Sequence, residues 1–163
     1  MQSSQPATTC YNAPHHTESI LTVETLRLIA ITDRPIPLDQ LLSQVTTPIC
    51  GAQVLFVGTT RQWTGAIETT QLEYDCYQEM ALKMLQSLES EARERWTIAE
   101  VAIVHRLGVV AVGEASVAVA VGAAHRDAAF TAARWIIDEI KTRVPIWKRE
   151  QGHGTESHWV HPR

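Results

Sequence analysis

The sequence predicts an α+β fold, a single domain with a mostly antiparallel sheet packed against two main helices. Three observations carry this. Short β-branched runs come in neighbouring pairs ahead of each long helical period, and do not alternate one strand with one helix. Two segments, 77–96 and 125–141, repeat apolar residues at three- and four-residue spacing. The 163 residues are 45% hydrophobic and 20% charged, enough to bury a core without disulfide or metal staples.

Residues 1–19 are polar and turn-forming, and predict a flexible leader before a domain over 20–163. Leu26, Leu28, Ile29 and Ile31 suggest a first strand. Pro35–Ile36–Pro37 interrupts it, and Leu38, Leu41, Leu42 and Val45 follow at helical spacing. Gly51 to Gly58 is an apolar run bounded by glycines, the pattern of a buried strand, and Thr59 to Gly65 reads as a loop. Residues 67–76 alternate with a two-residue period and predict the next strand.

Tyr77, Met80, Met84, Leu85, Leu88, Ala92 and Trp96 form one helical stripe, opposite Glu79, Lys83, Glu89, Glu91 and Arg93. Val101–Val104 and Ser116–Val121 read as strands separated by turns at Gly108 and Gly113. His125 to Lys141 reads as the second helix, with Phe130, Ala133, Ile137 and Ile140 inward. Val144–Pro145 ends it, because proline disfavours helical geometry in the residue before it.

Several classes are excluded. A net charge of −4 lacks the basic excess of a nucleic-acid binder. Cys10, Cys50 and Cys76 are too few and too scattered for a secreted disulfide framework, which predicts a cytoplasmic protein. No apolar run reaches the length of about 18 residues needed to span a membrane. Phosphate-loop, nucleophile-elbow and HExxH motifs are absent. His153, His158 and His161 match no common zinc spacing, so no metal is expected.

The unusual stretch is Lys141 to Glu150, KTRVPIWKRE, a basic segment in an acidic chain. A solvated helix end accounts for Lys141 and Arg143, since cations favour helix C-termini. It accounts less well for Lys148, which lies beyond the proline beside Ile146 and Trp147; a lysine against apolar walls can act as acid, base or nucleophile. His125–Arg126 opens a helix, where backbone N–H groups attract anions and an arginine adds a fork suited to phosphate or carboxylate. A helix-start pair packed on its own loop is the alternative. His105–Arg106 closes a strand and reads as structural, and Arg61 alone reads as a surface residue. Together with His125, Arg126 and the lysines, Arg61 fits one anion pocket.

In series these pieces resemble the catalytic (large) subunit family of molybdopterin synthase, over about Gly51 to Val160. The matching pieces are Phe56–Val57–Gly58, Arg61, Leu72–Glu73–Tyr74, Arg95–Trp96, Val101 to Gly108, Gly113–Glu114, His125–Arg126, the whole of Lys141–Glu150, and Trp159–Val160. Thr60 departs from the family pattern, which commonly has a hydrophobic or basic residue before the loop arginine. The resemblance implies an α+β fold and a sulfurtransferase. Such an enzyme converts cyclic pyranopterin monophosphate to molybdopterin, using sulfur from the C-terminal Gly-Gly thiocarboxylate of a small ubiquitin-like subunit. It implies a homodimer within a heterotetramer and no metal or organic cofactor. It implies that Lys141 and Lys148 are the functional lysines and that Arg61, His125 and Arg126 bind the anion. Arg149 and Glu150 would line that pocket, and Arg163 would reach a neighbouring protomer's site. A non-catalytic module that binds a ubiquitin-like tail is the alternative, and a general phosphate-binding protein is a weaker third.

Overall fold

The computed structural model describes residues 28–64, 67–152 and 159–160. The leader, Leu26, His153, His158, His161 and Arg163 lie outside the described residues. The elements run β1 (Ile29–Thr32), α1 (Leu38–Gln44), β2 (Ala52–Thr59), β3 (Trp63–Thr64), β4 (Ile67–Cys76), α2 (Gln78–Arg95), β5 (Ile98–Arg106), β6 (Gly108–Ala111), β7 (Ala115–Ala123), α3 (Arg126–Arg143), β8 (Ile146–Gly152) and β9 (Trp159–Val160). The class is α+β. Antiparallel pairing dominates, and it is distributed over two sheets; among the described residues the one parallel pair is β1 with β5.

The first sheet has the order β1-β5-β7-β2. Its two faces follow the two-residue period of strands. Val101, Ile103, Val117, Val119 and Val121 point to α2 and α3, while Ala102, Val104, Ala118 and Ala120 point to Ile36, Leu41 and Val45 on the α1 side. Such a sheet, buried on both faces, needs a nearly continuous apolar run, and β7 supplies it from Val117 to Ala123; its one buried polar side chain, Ser116, donates to the Gly58 carbonyl at 3.2 Å. At Gly122 the backbone comes so close to α1's end that a Cβ would stand 2.1 Å from the Val45 carbonyl oxygen.

α2 buries Ala81, Leu85, Leu88 and Ala92, and α3 buries Ala129, Ala132, Ala133, Ile136, Ile137 and Ile140. Three residues of the expected stripes lie outside the core. Tyr77 and Met80 are exposed, and Phe130 is 63% exposed. Alanines take the buried positions because they let helix and sheet approach closely. The helices are tied together by Arg143, whose two terminal nitrogens reach the two Glu91 carboxylate oxygens at 2.9 and 2.7 Å. Arg95 also lies over the Trp135 ring, 4.4 Å from its centre.

The second sheet has the order β3-β4-β8-β9, with β6 also on β4. Several of its strands are absent from the sequence expectation: the segment 59–65 contains β3, β6 lies between the two glycine turns, and the residues after Pro145, where the helix ends as expected, form β8. The turns at Gly108 and Gly113 are as expected: both glycines have positive φ, at 72° and 85°, where a side chain is strained.

Candidate functional site

Two regions carry the expected residues. The first is the start of α3. Leaving β7, the chain turns at Ala124 and His125, and His125 is the N-cap with φ −132° and ψ 146°. His125, Arg126 and Asp127 are all exposed. They line an open cavity of about 710 Å³ together with Gly51, Ala52, Ala124 and Phe130. The unsatisfied N–H groups of the first helical turn and the Arg126 guanidinium make this mouth attractive to an anion. Asp127 in the first turn complements the helix dipole. Gly51 is part of the construction, since a Cβ there would meet the Ala124 carbonyl oxygen at 2.5 Å. Phe130, expected in the core, instead gives the cavity an apolar wall.

The second region is the end of α3 and β8. Lys141 is exposed in the last turn of α3, fifteen residues from Arg126. At 1.5 Å per residue their Cα atoms are about 22 Å apart. Lys148 is half-buried on β8, opposite Tyr74 of β4 and Val160 of β9. The two lysines therefore sit on different elements, one helical and one extended, joined by Val144–Pro145. Glu150 shares the Lys148 face of β8, and Thr69 Oγ1 donates a hydrogen bond to its carboxylate. Arg149 lies on the opposite face, held by Glu73 with Nε 3.1 Å from Oε2. The strand thus separates Arg149 from Glu150, which the sequence had grouped.

Beneath Lys148 and Glu150 lies a polar seam between the two sheets. The Tyr74 ring meets His105 edge-on at 5.2 Å between centres, and its hydroxyl shares a hydrogen bond with Ser116. Burial, reinforced by the Glu150 charge, raises the Tyr74 pKa and keeps the phenol protonated. Burial pushes the His105 pKa down to about 4, so its ring is neutral at pH 7. Its Nδ1 is 2.9 Å from the Arg106 carbonyl oxygen, which only accepts, so Nδ1 carries the proton. His105 is a structural histidine, as its position at a strand end suggested. Burial, then the nearby Asp75 charge, raises the Cys76 thiol pKa, which leaves Cys76 a poor nucleophile at neutral pH.

Arg61 is exposed in the link between β2 and β3, directly after Thr60, which is 2% exposed. The protein buries this polar residue by satisfying it: Thr60 Oγ1 donates to the Val110 carbonyl at 3.4 Å. Sequence reasoning missed Tyr74, Thr69 and Ser116 as neighbours of the lysine segment. The alternation of residues 67–76 was a usable signal for the inward face of β4, but pairing with β8 was not visible. Among the described residues no group of three or more His, Cys, Asp and Glu side chains is placed to hold a metal, and no helix is long and apolar enough to cross a membrane.

Comparison with known proteins gives a consistent result. The family model described as MoaE protein matches residues 31–143. The molybdopterin synthase catalytic subunit of Bacillus subtilis is 43% identical over 120 residues, covering 74% of this chain and 76% of the relative. The subunit of the same name from Thermoplasma volcanium is 44% identical over 131 residues, covering 78% and 95%. Among solved structures, molybdopterin synthase from Staphylococcus aureus superposes with a TM-score of 0.79 at 35% identity, covering 83% of this chain and 98% of that one.

Proposed function

The chain belongs to the MoaE protein family, and from that premise we infer that it is a catalytic subunit of molybdopterin synthase, a sulfurtransferase of molybdenum cofactor biosynthesis. Its substrate is cyclic pyranopterin monophosphate, and its sulfur donor is a small ubiquitin-like subunit ending in a Gly-Gly thiocarboxylate. The observation that carries the site assignment is the placement of Lys148 and Glu150 on the same face of β8, which follows the helix end that bears Lys141.

The chemistry asks for little beyond charge and protons. The thiocarboxylate sulfur forms a C–S bond to the pterin side chain as a C–O bond there breaks and its oxygen leaves. Water then cleaves the resulting thioester, releasing the carrier as a carboxylate and leaving a thiolate on the pterin. A second thiocarboxylate repeats the exchange to complete the dithiolene. Each step passes through an anionic intermediate that a fixed cation stabilises. We assign Lys148 to the incoming thiocarboxylate and to the intermediate, with Glu150 and Tyr74 fixing its surroundings. Lys141 positions the substrate and exchanges protons with it. Arg61, His125 and Arg126 take the phosphate. Arg149, paired with Glu73, braces β8, and Arg163 completes the pocket from outside the described residues.

The separation of Arg126 and Lys141 by the length of α3 supports a site assembled from two protomers: one offers its α3 start and the other its lysines. This is the homodimer expected within a heterotetramer. The domain over 20–163 and a cytoplasmic location, in keeping with the free Cys50 and Cys76, complete the reading.

The test is a reconstituted assay with the thiocarboxylated partner and cyclic pyranopterin monophosphate, read as the fluorescent oxidised product. Lys148→Ala and Lys141→Ala should each lower turnover by about a hundredfold or more, the scale of losing a charge-stabilising donor. Near-normal turnover by Lys148→Ala would overturn the assignment. A stable partner complex that makes no product with the unaltered chain would favour the binding-module reading.

A further inference from the structure

The backbone that presents Arg61 is fastened on both sides of residue 60. The Thr60 N–H donates to the Glu114 carbonyl at 3.1 Å, and the Thr60 carbonyl accepts from the Gly113 N–H at 2.9 Å. With the hydroxyl bond to Val110, every polar group of Thr60 is committed to one hairpin, the β6–β7 turn. That hairpin is itself clamped. Arg106, with a side chain only 12% exposed, reaches the Glu114 carboxylate through Nη1 at 3.0 Å and the Val109 carbonyl through Nη2 at 3.2 Å. The same Glu114 carboxylate accepts from the Ala111 N–H at 3.1 Å, closing the turn on itself.

None of these groups takes part in the sulfur transfer derived above, yet they converge on the residue next to Arg61. We propose that Arg106 and Glu114, acting through the β6–β7 turn and Thr60, are positioning residues that aim Arg61 at the substrate's phosphate. An arginine side chain has many rotamers, and ordering it costs free energy that fixing its backbone beforehand reduces. A neutral hairpin could hold Thr60 by backbone bonds alone. The ion pair, anchored by the largely buried Arg106 and closed by the more exposed Glu114, holds the turn at one distance from the link between β2 and β3. Both turn atoms that bond Thr60 belong to Gly113 and Glu114, so a shift of the turn moves Arg61 with it.

This inference rests on the reading of Arg61 as a phosphate-binding residue, and the experiment separates the two. Steady-state sulfur transfer is measured with the full chain and its thiocarboxylated partner while cyclic pyranopterin monophosphate is varied. Arg61→Ala should raise KM by roughly tenfold or more, the loss of a charge-assisted hydrogen bond. Glu114→Gln should raise KM by about three- to tenfold and leave kcat within about twofold, the pattern of lost uniform binding. In the Arg61→Ala background Glu114→Gln should add nothing, because the clamp acts only through Arg61. Gly113→Ala is the second variant. Its methyl group meets nothing within 4 Å and strains the turn only through its φ of 85°, so it shifts the turn even where Glu114→Gln fails to fold. Equal KM effects with and without Arg61 would overturn the proposal and leave the hairpin merely structural. An unchanged KM in both hairpin variants would overturn it as well. An unchanged KM in Arg61→Ala alone would overturn the reading of Arg61, and this inference with it.

Discussion

In the first sheet, β7 from Val117 to Ala123 is buried throughout and carries no charge, and α2 and α3 cover it with leucine, isoleucine and alanine. In the second sheet, β4 and β8 are joined across their faces by Glu73 to Arg149, Thr69 to Glu150 and Gln71 to Gln151. The contrast separates two tasks. Apolar burial gives stability roughly in proportion to area and fixes no particular charge in place. Cross-strand polar pairs give little net stability, but each fixes an orientation. The residues assigned to chemistry stand on the second kind of surface, and the first kind supports it.

The largest effect should come from the apolar half. Leu85 is fully buried in the core cluster, and Leu85→Ala should cost about 2–5 kcal/mol in urea unfolding with an unchanged m-value. A loss below about 1 kcal/mol would mean that the helices are not what holds the first sheet.

His105 lies where the two halves meet, on β5 under Tyr74 of β4, and it sharpens the comparison through pH. In the folded chain its pKa is about 4, against 6.5 when unfolded. Between those values the unfolded chain binds a proton that the folded chain refuses. Its contribution is therefore whole above pH 6.5 and is lost as pH falls toward 4, by up to about 1.4 kcal/mol per pH unit. Urea midpoints at pH 7 and pH 4.5 should differ markedly more for the unaltered chain than for His105→Gln. Equal pH dependence in the two would mean that His105 is not held neutral by its burial between the two sheets.

The smallest effect should come from the outer face of the second sheet. Glu73 and Arg149 are 28% and 33% exposed, so water screens the pair. Glu73→Gln should lower stability by no more than about 1 kcal/mol in thermal melts. A larger loss would show that polar pairing carries the second sheet and would break the division.

How much of this was legible in the sequence follows the same line. The apolar half was readable almost entirely: the continuous apolar runs of β2, β5 and β7 and the stripes of α2 and α3 reflect burial on both faces of a sheet and on one face of a helix. The errors there were large residues favoured over small ones. Phe130 and Met80 lie outside, while Ala129, Ala132 and Ala81 lie inside, because close approach selects for small size that hydrophobicity patterns overlook. The polar half was less readable. Ile146 to Gly152 carries charges on both faces, so no two-residue hydrophobic period marked β8, and β6 is four residues long. Pairing partners leave no local trace at all. The residues of the candidate site were therefore identifiable one by one, while the faces they share, Lys148 with Glu150 and apart from Arg149, needed the fold.

The length of α3 also has a rotational meaning. An α-helix advances 1.5 Å and turns about 100° with each residue. One residue added between Arg126 and Lys141 would barely lengthen the helix, yet it would swing Lys141 more than a quarter-turn around the axis. The same twist would carry Ile137 and Ile140 off the face that packs on the first sheet. α3 thus works like a key whose cuts at both ends must stay in phase. Exposed positions such as Arg134, which serve neither the site nor the link to α2, are open to exchange, but the residue count is not.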